Sequence, residues 1–185
     1  MKHLLKNLTL RNLFSVSNIL NFIVIFLFIT SVSIFVYLTF YKPTDTYSNR
    51  DQLILTTVSG EKIDFNTLKG NVVLLNFWAT WCPPCRLEIP ELNNIYSAFE
   101  NENFKLIGVS YDDDVSTVLN FKSRTPIYYP VVMSSNQLSS KFGEIAAVPT
   151  TIILDKQLNV YAVLEGFHSQ ADIEPIIAKL LNDPI

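Results

Sequence analysis

Two cysteines and two histidines in 185 residues are too few for several kinds of chemistry. A structural zinc site needs about four such ligands. Here Cys82, Cys85 and His168 are separated from His3 by a long apolar run. No cysteine lies near that run, which excludes lipoprotein processing. Positive charge is not in excess either. The net charge is -3, and all 17 Asp and Glu follow the apolar run, whereas three of the 14 Lys and Arg precede it. The part after the run is therefore acidic, with no electrostatic footprint for nucleic acid or anionic lipid. There is no internal repeat and no low-complexity tract, and the aromatic and β-branched content argues against disorder.

Charge is missing altogether from Asn12 to Tyr41. Within that stretch Ile19–Tyr41 is dominated by Ile, Phe, Val and Leu. It exceeds the about 20 residues that cross a bilayer at a rise of about 1.5 Å each. Its small hydroxyls can bond back to the helix. A cleaved signal peptide has an apolar region of roughly 7 to 15 residues and then a small-residue site, whereas this run is longer and ends in Phe40-Tyr41-Lys42-Pro43. The reading is an uncleaved anchor at 19–41, with cleavage near Ser31-Val32-Ser33 as the alternative. Lys2, Lys6 and Arg11 precede it, so the positive-inside rule puts residues 1–18 in the cytoplasm and the rest outside.

Residues 42–50 (KPTDTYSNR) are polar and aperiodic, a tether. The folded domain is expected over 51–185. Leu53–Val58 and Lys62–Phe65 form a hairpin turning at Gly60. Asn71–Trp78 reads as a central strand buried on both faces. After Cys82 the pattern turns helical, with Leu87, Leu92, Ile95, Tyr96 and Phe99 in register and Pro90 expected to kink the helix. A strand at Phe104–Tyr111, a helix at Val115–Lys122, an irregular connection through Pro126 and Pro130, and a short helix at Gln137–Phe142 come next. The chain closes with paired strands Thr150–Leu154 and Val160–Leu164 and a helix at Gln170–Leu181. The fold class is α/β, a mixed sheet flanked by helices with an N-terminal hairpin, preceded by a single transmembrane helix.

Trp81-Cys82-Pro83-Pro84-Cys85 falls between a buried strand and a helix start. A helix N-terminus offers unpaired N–H groups and partial positive charge, which favour thiolate over thiol. Pro83 and Pro84 fit there because the first turn does not need their N–H groups. In such C-x-x-C sites the N-terminal sulfur is the nucleophile, so Cys82 attacks and Cys85 resolves. A purely structural disulfide closing so short a loop would constrain the unfolded chain little. The electrons reside on the two sulfurs, and no cofactor or metal is called for. Glu88 lies one helical turn beyond Cys85, where a carboxylate can take up the proton of the resolving thiol; the alternative is a solvated helix acid.

The stretch Asn71–Leu92 (NVVLLNFWATWCPPCRLEIPEL), with Val148-Pro149-Thr150 before a later strand, resembles the TlpA/ResA-like branch of the thioredoxin superfamily over residues 51 to 183. The resemblance implies a thioredoxin-like fold and one N-terminal anchor in a bacterial inner membrane, with the catalytic domain periplasmic. It also implies reduction of disulfides in exported proteins, often for c-type cytochrome maturation, with a membrane electron donor of the thiol-disulfide relay type. By resemblance Cys82 and Cys85 form the redox-active disulfide, Pro149 is a cis-proline facing them, and Glu88 matches a glutamate found near the cysteines. Backbone beside such a proline can pair with a substrate strand. Trp81, Pro83, Pro84, Val148 and Pro149 are thus the expected substrate-binding residues. Thioredoxins usually carry a buried aspartate where this chain has Asn76, which cannot titrate.

Trp78 reads as core, Arg86 as a surface cation and His168 as a surface-loop residue. Asp112-Asp113-Asp114 reads as a solvated loop, since calcium would require spaced ligands and a glycine. The competing function is a Cu(I) metallochaperone using the two thiolates. A thiol peroxidase would want Thr-x-x-Cys, and Thr80-Trp81-Cys82 lacks that spacing. The domain is expected to be monomeric.

Overall fold

The computed structural model describes residues 16–40 and 53–183. It divides into two units, Met1–Asp45 and Thr46–Ile185. The expected cytoplasmic segment up to residue 15, Tyr41 and the linker 42–50 lie outside the described residues.

In the first unit α1 (Val16–Phe40) is one helix of 25 residues. Thr30 and Ser31 donate their hydroxyls to the carbonyls of Leu27 and Phe28, which removes the cost of polar groups on an apolar helix. Side chains are described from Ile19 to Phe35, most of them apolar and nearly all exposed. Over those, no helix among the described residues is long and apolar enough to cross a membrane.

The second unit opens with β1 (Ile54–Thr56) and β2 (Lys62–Asp64), an antiparallel hairpin with Leu55 opposite Ile63. Gly60 takes the turn at φ 91°, where a side chain would be strained. A 3-10 turn, Phe65–Leu68, follows; sequence periodicity did not signal it, because its cap comes from Asp64, which accepts from the Asn66 N–H.

β3 (Val72–Trp78) is buried along its whole length. It pairs in parallel with β4 (Phe104–Ser110) and antiparallel with β6 (Thr150–Leu154). β5 (Val131–Met133) and β7 (Val160–Glu165) complete the order β5-β4-β3-β6-β7. β5 was expected as irregular connection. It is three residues long behind Pro130, and Gly108 N–H to Pro130 carbonyl starts its pairing with β4. The remaining helices are α2 (Pro83–Ala98), α3 (Val115–Lys122), α4 (Asn136–Phe142) and α5 (Gln170–Asn182). α2 runs on through Pro90.

The period-2 alternation of a strand sorts β3 onto two cores. Val72, Leu74 and Trp78 pack with Ile89, Leu92 and Ile95 of α2 and Ile173 and Ile177 of α5. Val73, Leu75 and Phe77 pack with Leu55, Phe65, Leu68 and Leu138 on the opposite face. Burying each of these side chains contributes about 1.5–3 kcal/mol. Asn76, also buried, falls in the alternation on the α2 face, between Leu74 and Trp78. That position brings a polar group into the core below the helix start.

Gly108 of β4 is required by packing. A Cβ there would stand 3.0 Å from Tyr129 Cε2 and 3.1 Å from Trp78 Nε1. Both rings are fully buried and have little room to yield. Gly108→Ala is expected to cost about 1–3 kcal/mol by overpacking, read as a lower thermal midpoint in circular dichroism. An unchanged midpoint would show that the two rings move freely.

Candidate active site

The β3–α2 junction is built from the end of a buried strand. A turn closes from the Cys82 N–H to the Ala79 carbonyl, and Cys82 becomes the N-cap of α2 with Pro83 and Pro84 at its first positions. The Cys82 sulfur accepts the Cys85 N–H at 3.2 Å, so one of the helix's unpaired donors points at it. Cys82 and Cys85 are joined as a disulfide, both nearly buried. Beside them Trp81 is 64% exposed, and Pro83, Pro84 and Arg86 are exposed.

Across from the sulfurs lies the loop before β6. The Val148–Pro149 peptide is cis, and the Val148 carbonyl oxygen is 3.6 Å from Cys82 Sγ. The oxidised sulfur carries no proton, so this is proximity. The Pro149 carbonyl is taken by the Gly166 N–H at 2.8 Å.

Glu88 is fully buried, on the stripe of α2 that also buries Cys85, Ile89 and Leu92. The solvated-acid reading is excluded by that burial. One carboxylate oxygen accepts from Asn76 Nδ2 at 2.8 Å and the other from the His168 backbone N–H at 3.0 Å. Asn76 Nδ2 also donates to Thr151 Oγ1 at 3.0 Å. Burial pushes the Glu88 carboxyl above its ordinary 4.5; the His168 and Asn76 donors and the charge of His168 pull it back, and burial prevails. The Tyr129 phenol is raised by burial first and by the charge of Glu88 second, so it stays protonated.

Three residues have more to do here than their types indicated. Asn76 does not titrate, but it holds Glu88. His168, half-buried, contributes its backbone N–H to the same carboxylate, while its ring Nδ1 lies 2.9 Å from the Gly166 carbonyl. Asp112 does not sit in a solvated loop. It is 8% exposed and accepts from the Thr80 N–H at 3.0 Å, from Thr80 Oγ1 and from Ser110 Oγ. A polar residue predicted at a strand end next to the cysteine loop would have been the signal. Asp114 instead caps α3 through the Thr117 N–H.

A cleft of about 440 Å³ lined by Lys62, Tyr96, Glu100 and Lys105 contains none of the residues above. Thr80 Oγ1 is committed to Asp112, so it is not directed at Cys82 as a peroxidase threonine would be.

A C-x-x-C disulfide at the start of a helix, on a mixed sheet with a cis-proline loop opposite, defines a thiol-disulfide oxidoreductase of the thioredoxin superfamily. Residues 51–163 match the AhpC/TSA family, and the chain belongs to it. It is similar to the thiol-disulfide oxidoreductase ResA of Bacillus thuringiensis (strain Al Hakam), 29% identical over 127 residues, which are 69% of this chain and 73% of that protein. ResA of Bacillus subtilis (strain 168) is 29% identical over 126 residues, 68% of this chain and 70% of that one. Among solved structures, a thiol:disulfide interchange protein of the thioredoxin family from Chlorobium tepidum TLS superposes with a TM-score of 0.66 at 32% identity, covering 70% of this chain and 93% of that one.

Proposed function

We propose that this chain is a membrane-tethered reductase that delivers electrons to disulfides in exported proteins on the outer side of a bacterial inner membrane. Cys82 attacks the substrate disulfide, Cys85 resolves the mixed disulfide, and Glu88 accepts the proton that Cys85 must lose. The observation that carries the reading is the juxtaposition of three groups: the Cys82 sulfur at a helix N-cap, the Val148 carbonyl 3.6 Å away, and the buried Glu88 one turn beyond Cys85. The Val148–Pro149 backbone and Trp81, Pro83 and Pro84 form the surface on which a substrate segment lies. Residues 19–41 supply the tether, supported by the charge-free run and the basic residues before it.

Reduced Cys82–Cys85 is regenerated by a membrane dithiol relay partner. Apocytochromes c are the substrates most compatible with this scheme, because their haem-attachment motif is itself a C-x-x-C pair that has to be reduced before haem is joined. The similarity to ResA proteins, named thiol-disulfide oxidoreductases, supports the exchange chemistry. The Cu(I)-carrier alternative has no observation in its favour beyond the two sulfurs.

Trapping tests the proposal. With Cys85→Ala in the full chain, attack proceeds and resolution stops, so Cys82 accumulates mixed disulfides. Exported C-x-x-C proteins in the membrane fraction are the expected adducts. Adducts formed only with cytosolic proteins would overturn the location, and no adducts at all would overturn the exchange chemistry.

A further inference from the structure

β3 and β4 do not stop pairing where their strands end. One more bond, Tyr111 N–H to the Trp78 carbonyl at 2.8 Å, extends the ladder past Trp78. The chain then departs into the turn Ala79–Cys82, and the next donor on the β3 side, the Thr80 N–H, goes to a side chain. The Asp112 side chain takes that place. Its Oδ2 receives the Thr80 N–H and the Ser110 hydroxyl, and its Oδ1 receives the Thr80 hydroxyl. The Asp112 N–H returns to Ser110 Oγ at 3.1 Å, so the carboxylate is itself held from behind. Ser110 is fully buried and Asp112 nearly so.

Thr80 is the residue before Trp81 and two before Cys82. Fixing its N–H and hydroxyl from one carboxylate fixes the turn that aims an exposed tryptophan and the N-cap sulfur. We propose that Asp112 is a positioning residue for disulfide exchange: it clamps Thr80 and thereby holds Trp81 and Cys82 in the geometry of attack. It touches neither the substrate nor the reacting sulfurs. The inference rests on Cys82 being the attacking sulfur, as proposed above.

The geometry distinguishes a bonding role from a charge role. An asparagine at 112 is isosteric and can accept the Thr80 N–H on its oxygen while giving its own N–H to Thr80 Oγ1. It therefore keeps the clamp and loses the charge, whereas an alanine loses both.

The experiment uses the full chain with insulin as the disulfide substrate, at a temperature where circular dichroism shows each variant fully folded. Asp112→Ala is expected to lower kcat/KM about 10-fold, the scale on which small misplacements of reacting groups act. Asp112→Asn is expected to recover most of that loss, and Thr80→Val, which removes only the hydroxyl bond, to fall between. The alkylation rate of reduced Cys82 should follow the same order. Full activity in folded Asp112→Ala would overturn the proposal. So would Asp112→Asn as slow as Asp112→Ala, because charge and not the bonded geometry would then matter. Should Asp112→Ala fail to fold, Thr80→Val decides: a wild-type rate overturns the clamp. Absence of turnover in the unmutated chain would instead overturn the exchange reading, and this inference with it.

Discussion

Cys82→Ser is expected to abolish disulfide exchange, a loss of at least about 10³-fold, while Cys85→Ala still attacks and then stalls. The asymmetry follows from the helix start. Cys82 is the N-cap, and its sulfur receives the Cys85 N–H at 3.2 Å. That donor and the positive end of α2 stabilise a thiolate on Cys82, and the thiolate is the nucleophile. Both sulfurs are buried, but Cys85 lies inside the first turn and is not the N-cap that receives this donor. Iodoacetamide alkylation of the reduced protein against pH, with each site read by mass spectrometry, checks the assignment. Cys82 should react faster and at lower pH. Faster labelling of Cys85 would reverse the two roles.

Glu88→Gln is expected to slow turnover by up to about 10²-fold and to flatten its pH dependence, the range in which general acid–base groups act. Resolution requires Cys85 to lose its proton in a buried place, and the strand position below it is the non-titrating Asn76. Glu88 is fully buried, and its carboxyl is raised above 4.5 by that burial, so it can take a proton from a thiol more readily than an exposed acid can. Stability carries the same signature. A carboxyl raised in the folded state keeps its proton while the unfolded chain has already released it, so folding loses stability as pH rises from about 4.5 to the raised value and levels off above it. Wild type should therefore show a falling thermal midpoint across that window, and Glu88→Gln a flatter one. The glutamine still accepts the His168 N–H, but its amide faces the Asn76 amide, and one of the two must turn. Superimposable pH–rate profiles for the two proteins would remove Glu88 from the mechanism.

What could be read from the sequence follows the strength of each local signal. β3 and α2 were legible because seven buried positions in a row, six of them apolar, then a proline pair at a helix start and a period near 3.6, leave few alternatives. The C-x-x-C at their junction needed only that placement to be read. β5 was not legible, since three residues behind Pro130 have no period to detect, and their pairing comes from β4, more than twenty residues earlier. The membrane role proposed for residues 19–41 is read from composition and flanking charge.

The polar members of the site were the hardest to read. Glu88 stood on a core stripe between Cys85 and Leu92, so its burial was available from spacing, yet a helix glutamate is ordinarily exposed. Asp112 was hidden in a run of three acids that composition assigns to solvent, although the three differ: Asp112 is buried, Asp113 is exposed and Asp114 caps a helix. Asn76 and His168 act through an amide and a backbone N–H, groups whose partners depend on contacts across 12 and 80 residues of chain. Sequence spacing carries no trace of such pairs.

The loop from Gly166 to His168 donates one N–H to the Pro149 carbonyl and another to the Glu88 carboxylate. Anyone re-engineering this protein for a different client would naturally vary that loop, because the exposed Phe167 sits at its tip. With the roles proposed for Val148–Pro149 and Glu88, the same edit would move the docking edge and the proton acceptor together. On that proposal client preference and working pH would change as one trait, and a library that randomises Phe167 should be screened at several pH values so that a shifted optimum is not scored as a lost specificity.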